Sequence, residues 1–181
     1  MKVLFISNYR DGTGWAVGSS NIILALDKAG VDIVCRPIKL NNNNPNIPDR
    51  LLELEKKSTD GCDVLIQYVL PHMSVSNSCF KKNIIMYNTE TSDFRPTSWA
   101  SYINLMDHAF VFSQDSFYAS VDSDVRIPIS IIPHCDDIKK YKKLGFEETG
   151  KNFSQERFRM KSGSIIPETE LCIERNDKLI K

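Results

Sequence analysis

Short apolar runs alternate along this chain with windows of helical periodicity. The first run, VLFI at residues 3–6, has no polar interruption, which is typical of a strand buried on both faces of a sheet. Behind it, Ile22, Ile23 and Leu26 fall on one face of a helical window. The alternation predicts strands at residues 2–8, 31–38, 62–71, 82–90, 108–114 and 126–134, and helices at residues 21–30, 49–57, 98–107 and 115–121.

This alternation predicts an α/β fold built from βαβ units. Because crossovers between parallel strands are right-handed, we expect a single domain with a Rossmann-like, doubly wound parallel sheet of about six strands, arranged in three αβα layers. Ser19 and Ser20 are the predicted N-caps of the first helix, Asp49 that of the second and Ser98 that of the third.

The segments that follow the predicted strands carry the unusual residues of the chain. In a parallel sheet these segments meet at one edge, where ligands bind. They are residues 8–15, 71–72, 89–94, 113–115 and 134–137. The sequence therefore predicts a ligand site in a cleft at the carboxyl ends of the strands.

The pattern degrades after residue 138, where charged residues dominate. We assign residues 1–138 to the Rossmann-like domain. Residues 139–181 are expected to form a charged tail, which packs in part or is the remnant of a linker to a missing second domain.

Charge and cysteine usage narrow the functional classes. Lys and Arg together number 23, as do Asp and Glu, so the formal net charge is zero and nothing points to nucleic acid. No stretch approaches the ~18 apolar residues of a membrane helix. The five cysteines include no C-x-x-C pair, so neither a zinc site nor a disulfide framework is indicated. We therefore expect a cytoplasmic protein without a transmembrane segment.

The stretch DGTGWAVG at residues 11–18 is glycine-rich and follows the first strand directly. A dinucleotide fingerprint would place its third glycine at position 17, but Val17 occupies it. The second strand ends near Arg36 and Lys39 rather than at the acidic residue that holds a ribose, and no Gly-Lys-Ser/Thr is present. The loop is consistent with an anion at a helix N-terminus or with a purely structural turn.

Four longer segments resemble the N-terminal domain of group 1 glycosyltransferases with the GT-B fold. They are LPH at residues 70–72, MYNTETSDFRPTSW at 86–99, DHAFVFSQDS at 107–116 and IPISIIPHCDD at 127–137. The glycine-rich loop is similar to the one that follows the first strand of that class. Cys135 stands where the family's P-H-G-V-D segment has glycine, and Glu168, Glu170 and Glu174 do not have the family's E-x7-E spacing.

The resemblance implies the acceptor half of a retaining enzyme that transfers a sugar from a nucleotide sugar to a hydroxyl group. The nucleotide sugar would be a substrate, and the resemblance requires neither cofactor nor metal. It also implies that a second, donor-binding domain or subunit is needed, so that this chain alone is expected to be inactive. The expected partners are a sugar or glycan acceptor and that donor half.

The resemblance also assigns roles to particular residues. Gly12, Gly14 and Trp15 would line the cleft where the acceptor meets the donor phosphates. His72 would hydrogen-bond a sugar hydroxyl or move a proton, and Glu90 would orient the acceptor or act as a base.

For three further residues the resemblance implies contacts at the edge of the cleft. Ser113 would reach the ligand, and His134 and Asp137 would lie at the hinge toward the missing domain. Structural alternatives remain open for the site residues: turn formation for the glycines, capping for Ser113 and Glu90, and strand termination for His134 and Asp137.

Two functions from other classes remain open. A non-catalytic ligand-binding or regulatory module on a Rossmann-like scaffold accounts for the missing donor domain. An NAD(P)-linked oxidoreductase is supported by the fold alone.

Overall fold

The computed structural model describes residues 1–43 and 45–135, together with the backbone of residues 146–148 and 158–160. The chain divides into two compact units, Met1–Ile132 and Pro133–Lys181, a few residues before the predicted boundary. The strands of the first unit are β1 (Lys2–Ser7), β2 (Asp32–Pro37), β3 (Val64–Tyr68), β4 (Lys82–Met86), β5 (His108–Val111) and β6 (Ile129–Ile131). Its helices are α1 (Gly14–Lys28), α2 (Asp49–Lys56), α3 (Trp99–Ile103) and α4 (Gln114–Asp122), with a short 3₁₀ turn at Pro71–Met73.

The six strands form one parallel sheet in the order β2-β1-β3-β4-β5-β6. The predicted Rossmann-like α/β fold is confirmed, with all six predicted strands present. Phe5 at the centre of β1 pairs with Cys35 of β2 and Ile66 of β3. The chain leaves β1 toward β2 and then returns past β1 to β3, so the direction of winding reverses between β1 and β3. Such a reversal opens a crevice at the carboxyl ends of these two strands.

One face of β4 and β5 forms an apolar core. Ile85 and Tyr87 from β4 and the residue after it, and Ala109 and Val111 from β5, are completely buried. They pack against side chains of α3, α4 and the segments beside them, namely Phe94, Ile103, Met106, Ala119 and Val125. Alternate residues of a strand point to one face, so the apolar run of each strand supplies this layer directly.

Helix α1 begins earlier than the sequence predicts. Ser19 and Ser20, the predicted N-caps, lie inside the helix, and the cap is Thr13, whose Oγ1 accepts a hydrogen bond from the N–H of Ala16 at 3.2 Å. Because Thr13 offers a cap nearly two turns upstream of Ser19, the glycine-rich stretch is helical from Gly14 onward. Trp15 therefore lies in the first turn of α1 and not in the middle of a loop.

The other predicted caps have mixed outcomes. Asp49 is the first residue of α2, and Pro48 holds the cap position without a side-chain bond. Ser98 makes no capping bond, and Thr97 Oγ1 accepts from the N–H of Trp99 instead. Ser113 is confirmed as the N-cap of α4, where its Oγ accepts from the N–H of Ser116 at 3.1 Å.

The second unit contains a two-stranded antiparallel sheet formed by β7 (Phe146–Glu148) and β8 (Phe158–Met160). Glu147 of β7 pairs with Arg159 of β8. Among the described residues of the whole chain, no helix has the length and apolar character needed to cross a membrane.

Candidate functional site

A small pocket opens at the crevice between the carboxyl ends of β1 and β3. Its empty volume is about 190 Å³, with the open mouth included. The wall is formed by the residue after β1, the first turn of α1, the segment after β2, and the end of β3 with the turn that follows it. The residues used below are Asn8, Trp15, Ile38, Leu40, Tyr68 and Met73.

Aromatic contacts position one wall of this pocket. Trp15 meets Tyr68 edge-on, with ring centroids 5.4 Å apart, and Tyr68 packs against Phe112 at 5.0 Å. Tyr68 is 1% exposed and its hydroxyl accepts a hydrogen bond from Asn88 Nδ2 at 3.0 Å. The indole of Trp15 is therefore held between the strand ends and the solvent-facing mouth of the pocket.

A buried carboxylate organises the turn between β1 and α1. Asp11 is 1% exposed, and its Oδ1 accepts from the N–H and the Oγ1 of Thr13, at 3.0 Å and 2.6 Å. Its Oδ2 accepts from Asn8 Nδ2 at 2.7 Å. Burial by itself raises the pKa of Asp11, but these hydrogen bonds outweigh burial and hold the pKa below its usual range. The turn thus carries a negative charge of its own.

The same turn is fixed from outside by the loop between β2 and α2. Asn41 and Asn43 both donate through Nδ2 to the carbonyl oxygen of Asp11, at 3.1 Å and 3.2 Å. The rim of the pocket and the turn beneath it are consequently one hydrogen-bonded structure.

A second anchor joins the turn to α2 through Glu55. Tyr9 donates its hydroxyl to Glu55 Oε1 at 2.6 Å, and Arg10 donates to both carboxylate oxygens of Glu55. Burial raises the pKa of Tyr9. Burial also raises the pKa of Glu55, but the hydrogen bonds from Arg10 and Tyr9 outweigh it, and the net shift is downward. All of these polar groups are used by the fold, which makes the network a support for the turn.

The two glycines of the turn have different roles. Gly12 has a φ of +73°, the left-handed region that favours glycine, and a Cβ there would lie 3.5 Å from Pro45 Cβ. Gly14 opens α1, and a Cβ there would meet nothing within 4 Å. Gly12 and Gly14 do not line the pocket, whereas Trp15 does.

Two buried polar atoms of the pocket residues have no hydrogen-bond partner among the described residues. They are Asn8 Oδ1, an acceptor, and Trp15 Nε1, a donor. Buried polar groups are nearly always paired, and an unpaired one costs about 1–3 kcal/mol. Their presence in the same pocket is the strongest indication of a ligand in this structure.

The predicted catalytic residues lie at the same edge of the sheet but outside this pocket. His72 is exposed in the 3₁₀ turn after β3, and the next residue, Met73, lines the pocket. Glu90 is exposed in the segment after β4, so water surrounds its carboxylate. Neither residue is buried beside a group that would activate it.

The remaining predicted site residues divide between structural and undescribed positions. Ser113 caps α4, and its Oγ lies 3.2 Å from Ser116 Oγ, to which it donates. His134 belongs to the second unit, and Asp137 lies outside the described residues. Within the part of the chain that the structure describes, no three His, Cys, Asp or Glu side chains are grouped to hold a metal ion.

Sequence reasoning missed most of the pocket wall. Asn8 carried a signal, since it is the first polar residue after an apolar strand and begins a predicted ligand segment. Tyr68, Ile38 and Leu40 carried none, because each stands in or beside an apolar run and is indistinguishable there from a core residue.

The sequence matches no protein-family model, and the searches of curated proteins and of solved structures also returned no match. Any conclusion about function must therefore come from the residues and geometry of this chain.

Proposed function

We propose that this chain is the acceptor-binding half of a retaining glycosyltransferase with the GT-B arrangement, which transfers a sugar from a nucleotide sugar to a hydroxyl group. The observation that carries the proposal is the pocket at the β1/β3 crevice, where an unpartnered acceptor and an unpartnered donor lie among apolar side chains. Crevices of this kind are where parallel α/β sheets bind their ligands.

The proposal gives His72 and Glu90 the chemistry of the acceptor hydroxyl. They follow β3 and β4, two neighbouring strands of the sheet, so both stand at the edge that carries the pocket. A histidine or carboxylate there can hydrogen-bond the attacking hydroxyl or accept its proton. Because both are exposed, the proposal requires the donor half to close over them and remove water before the reaction.

The donor half is expected on a second domain or a separate subunit. The nucleotide sugar is a substrate in this proposal, and no cofactor or metal is assigned. Cys35, Cys62 and Cys79 are free thiols, which supports placing the protein in the reducing cytoplasm.

Ligand-dependent unfolding tests the proposal. Thermal unfolding of the full chain would be followed with phenyl glycosides as acceptors, with UDP-, GDP- and ADP-sugars as donors, and with NAD(P)H. A ligand at 100 times its dissociation constant adds about 2.7 kcal/mol to the free energy of unfolding, which is several degrees in Tm. We expect stabilisation by phenyl glycosides. Stabilisation by NAD(P)H alone would contradict the proposal and favour an oxidoreductase.

Sugar transfer is the second measurement. Product formation from each nucleotide sugar and a phenyl glycoside would be measured after addition of a donor-binding partner, for the wild-type chain and for Glu90→Gln and His72→Asn, with Asp122→Asn as an exposed control. We expect any transfer to fall at least tenfold in the first two variants and to be unchanged in the control.

A non-catalytic binding module is the second candidate, and one observation favours it. His72 and Glu90 are both exposed, so these two residues do not form a buried acid–base pair. Acceptor binding without transfer, also after addition of a donor-binding partner, would establish this alternative.

A further inference from the structure

We propose that the pocket between β1 and β3 binds an uncharged, hydroxyl-bearing ring, one hydroxyl of which donates to Asn8 Oδ1 and accepts from Trp15 Nε1. This specifies the ligand of the site described above, and it rests on the proposed function only in identifying that ligand as an acceptor.

The orientation of the Asn8 amide is fixed by its neighbour. Nδ2 donates to the Asp11 carboxylate at 2.7 Å, and a carboxylate can only accept, so the nitrogen must be on that side. Oδ1 is then the remaining polar atom, and it has no partner among the described residues although Asn8 is only 4% exposed. The group that completes Asn8 must therefore be a donor.

Trp15 needs the opposite kind of partner. Its Nε1 is buried without a partner in the described chain, and an indole N–H can only donate. A hydroxyl group both donates and accepts, so it offers the kind of partner that each of the two atoms lacks. A carboxylate at neutral pH has no proton to give to Asn8 Oδ1. Inorganic phosphate still carries one at this pH, so phosphate is disfavoured by its charge alone.

Electrostatics also disfavour an anion in this pocket. The Asp11 carboxylate is bonded to Asn8, one of the lining residues, and two like charges a few ångströms apart repel strongly where water is excluded. None of the described lining residues carries a charge that could offset this. The backbone N–H of Thr13 is already bonded to Asp11 and that of Ala16 to Thr13 Oγ1, so two of the donors that a phosphate would use at the start of α1 are occupied.

The remaining wall fits the apolar face of a ring. Ile38, Leu40, Leu70 and Met73 line the same pocket and contribute aliphatic and thioether groups to its wall. Sites with mostly apolar walls and a few convergent polar atoms are typical of small uncharged ligands. The empty volume of about 190 Å³ counts the open mouth as well as the enclosed space, so it is an upper limit. It lies below the range of roughly 300–1,000 Å³ usual for drug-sized ligands, which excludes a group larger than one ring.

The indole N–H of Trp15 provides a direct readout. The chain has two tryptophans, so a ¹⁵N-labelled sample gives two indole signals, and Trp99→Phe assigns the one from Trp15. The probes are phenyl β-glucoside, phenyl β-galactoside, phenyl α-mannoside, myo-inositol and inorganic phosphate, each titrated to 50 mM. We expect the Trp15 signal to move with at least one uncharged probe and not with phosphate.

Several outcomes would overturn the inference. A response to phosphate alone would mean an anion site. No response to any of the five probes would mean that the two atoms are completed by bound water or remain unpaired, and that the pocket is not a ring-binding site.

Trp15→Phe tests the hydrogen bond itself, with Trp99→Phe as the matched control. Phenylalanine keeps an aromatic edge against Tyr68 but removes the donor. For the probe that moves the Trp15 signal, dissociation constants from tyrosine fluorescence or calorimetry should rise about 5- to 10-fold in Trp15→Phe, the value of one hydrogen bond, and stay unchanged in Trp99→Phe. Circular dichroism and urea unfolding verify that both variants fold. An unchanged affinity in Trp15→Phe would refute the inference.

The transfer assay separates this inference from the proposed function. If the Trp15 signal responds to an uncharged ring but no sugar is transferred, even with a donor half added, the ligand class stands and the glycosyltransferase proposal fails. If sugar is transferred while the Trp15 signal does not respond, the proposed function stands and the assignment of this pocket fails.

Discussion

Beside β4 and β5, the buried hydroxyls of Tyr87 and Ser120 lie 2.8 Å apart, and Ser120 also donates to the carbonyl oxygen of Ser116 at 2.6 Å. The β1 side differs, since all the buried side-chain atoms without a partner in the described residues belong to β1, the turn after it and α1. They are Ser7 Oγ, Asn8 Oδ1, Trp15 Nε1 and Ser19 Oγ. Beside β4 and β5 these buried hydroxyls are hydrogen-bonded within the protein. The buried polar side-chain atoms that lack a partner in the described residues lie on the β1 side, where the pocket is.

The largest difference in the free energy of unfolding is expected between a variant in the core beside β4 and β5 and a variant in the wall of the pocket. Phe94 is 1% exposed and packs against Tyr87 and Trp99, with ring centroids 6.5 Å and 5.8 Å away. Phe94→Ala should lower the free energy of unfolding by about 3–5 kcal/mol. Leu40→Ala, at a pocket residue that is 47% exposed, should cost less than about 1 kcal/mol. Urea unfolding measures both free energies. Equal losses in the two variants would contradict the difference drawn here between the core beside β4 and β5 and the pocket wall.

Asp11→Asn tests the buried carboxylate in the turn between β1 and α1, on the pocket side of the sheet. The variant loses charge-assisted hydrogen bonds and sets its new NH₂ group against either Nδ2 of Asn8 or the backbone N–H of Thr13. At pH 7 it should therefore be about 1.5–3 kcal/mol less stable. The folded pKa of Asp11 lies below its ordinary 3.8, so the carboxylate stabilises fully above about pH 4 and this stabilisation is lost as pH falls through the folded pKa.

The difference in stability between wild type and Asp11→Asn should therefore shrink below about pH 4. Urea unfolding at pH 7, 5, 4 and 3 measures this. Asp122→Asn, at the exposed end of α4, is the control and should stay within about 0.5 kcal/mol of wild type at pH 7. A pH-independent difference for Asp11→Asn would mean that the carboxylate is not ionised in the folded protein.

Two serines give a matched test of hydrogen-bond satisfaction. Ser19 on α1 and Ser120 on α4 are both completely buried, but among the described residues only the hydroxyl of Ser120 has hydrogen-bond partners. Ser120→Ala leaves the Tyr87 hydroxyl without its partner and should cost about 1–2 kcal/mol. Ser19→Ala removes an unpaired polar atom and adds a better helix former, so it should be neutral or stabilising by up to about 1 kcal/mol. A similar loss in both variants would show that Ser19 has a partner after all.

The smallest effects are expected at the glycines of the turn. Gly12→Ala places a Cβ in the left-handed region and should cost about 1 kcal/mol. Gly14→Ala places one in open space at the start of a helix and should be neutral or stabilising by a few tenths of a kcal/mol. Thermal unfolding of the two variants measures the difference. If Gly14→Ala were the more harmful, the turn would not have the conformation described here.

The fold could be predicted from the sequence because its signals are local. Apolar runs such as VLFI at residues 3–6 have few alternatives to a buried parallel strand, and Ser113 directly precedes a helical window. The start of α1 was misassigned because Thr13 and Ser19 are equally good caps by residue type, and only the bond from Ala16 to Thr13 decides between them.

The site could be predicted only to the level of the sheet edge. Which strand ends meet depends on strand order, and the neighbours of β1 are not encoded in its own residues. The importance of Asn8 depends on an absent bond at Oδ1, and that of Tyr68 on its contact with Trp15, 53 positions away in the chain. Long-range contacts of this kind leave no periodicity in a single sequence.

The strand order also determines what lies at the two margins of the sheet. The outer strand β2 contains Asp32 and Arg36 and ends at Pro37, which has no N–H to donate. The opposite outer strand, β6, is only three residues long. Charges, proline and short length at the margins are devices that prevent strands of separate molecules from joining into extended sheets. Within the unit Met1–Ile132, the protein thus combines a sheet of strongly apolar strands with margins that oppose aggregation.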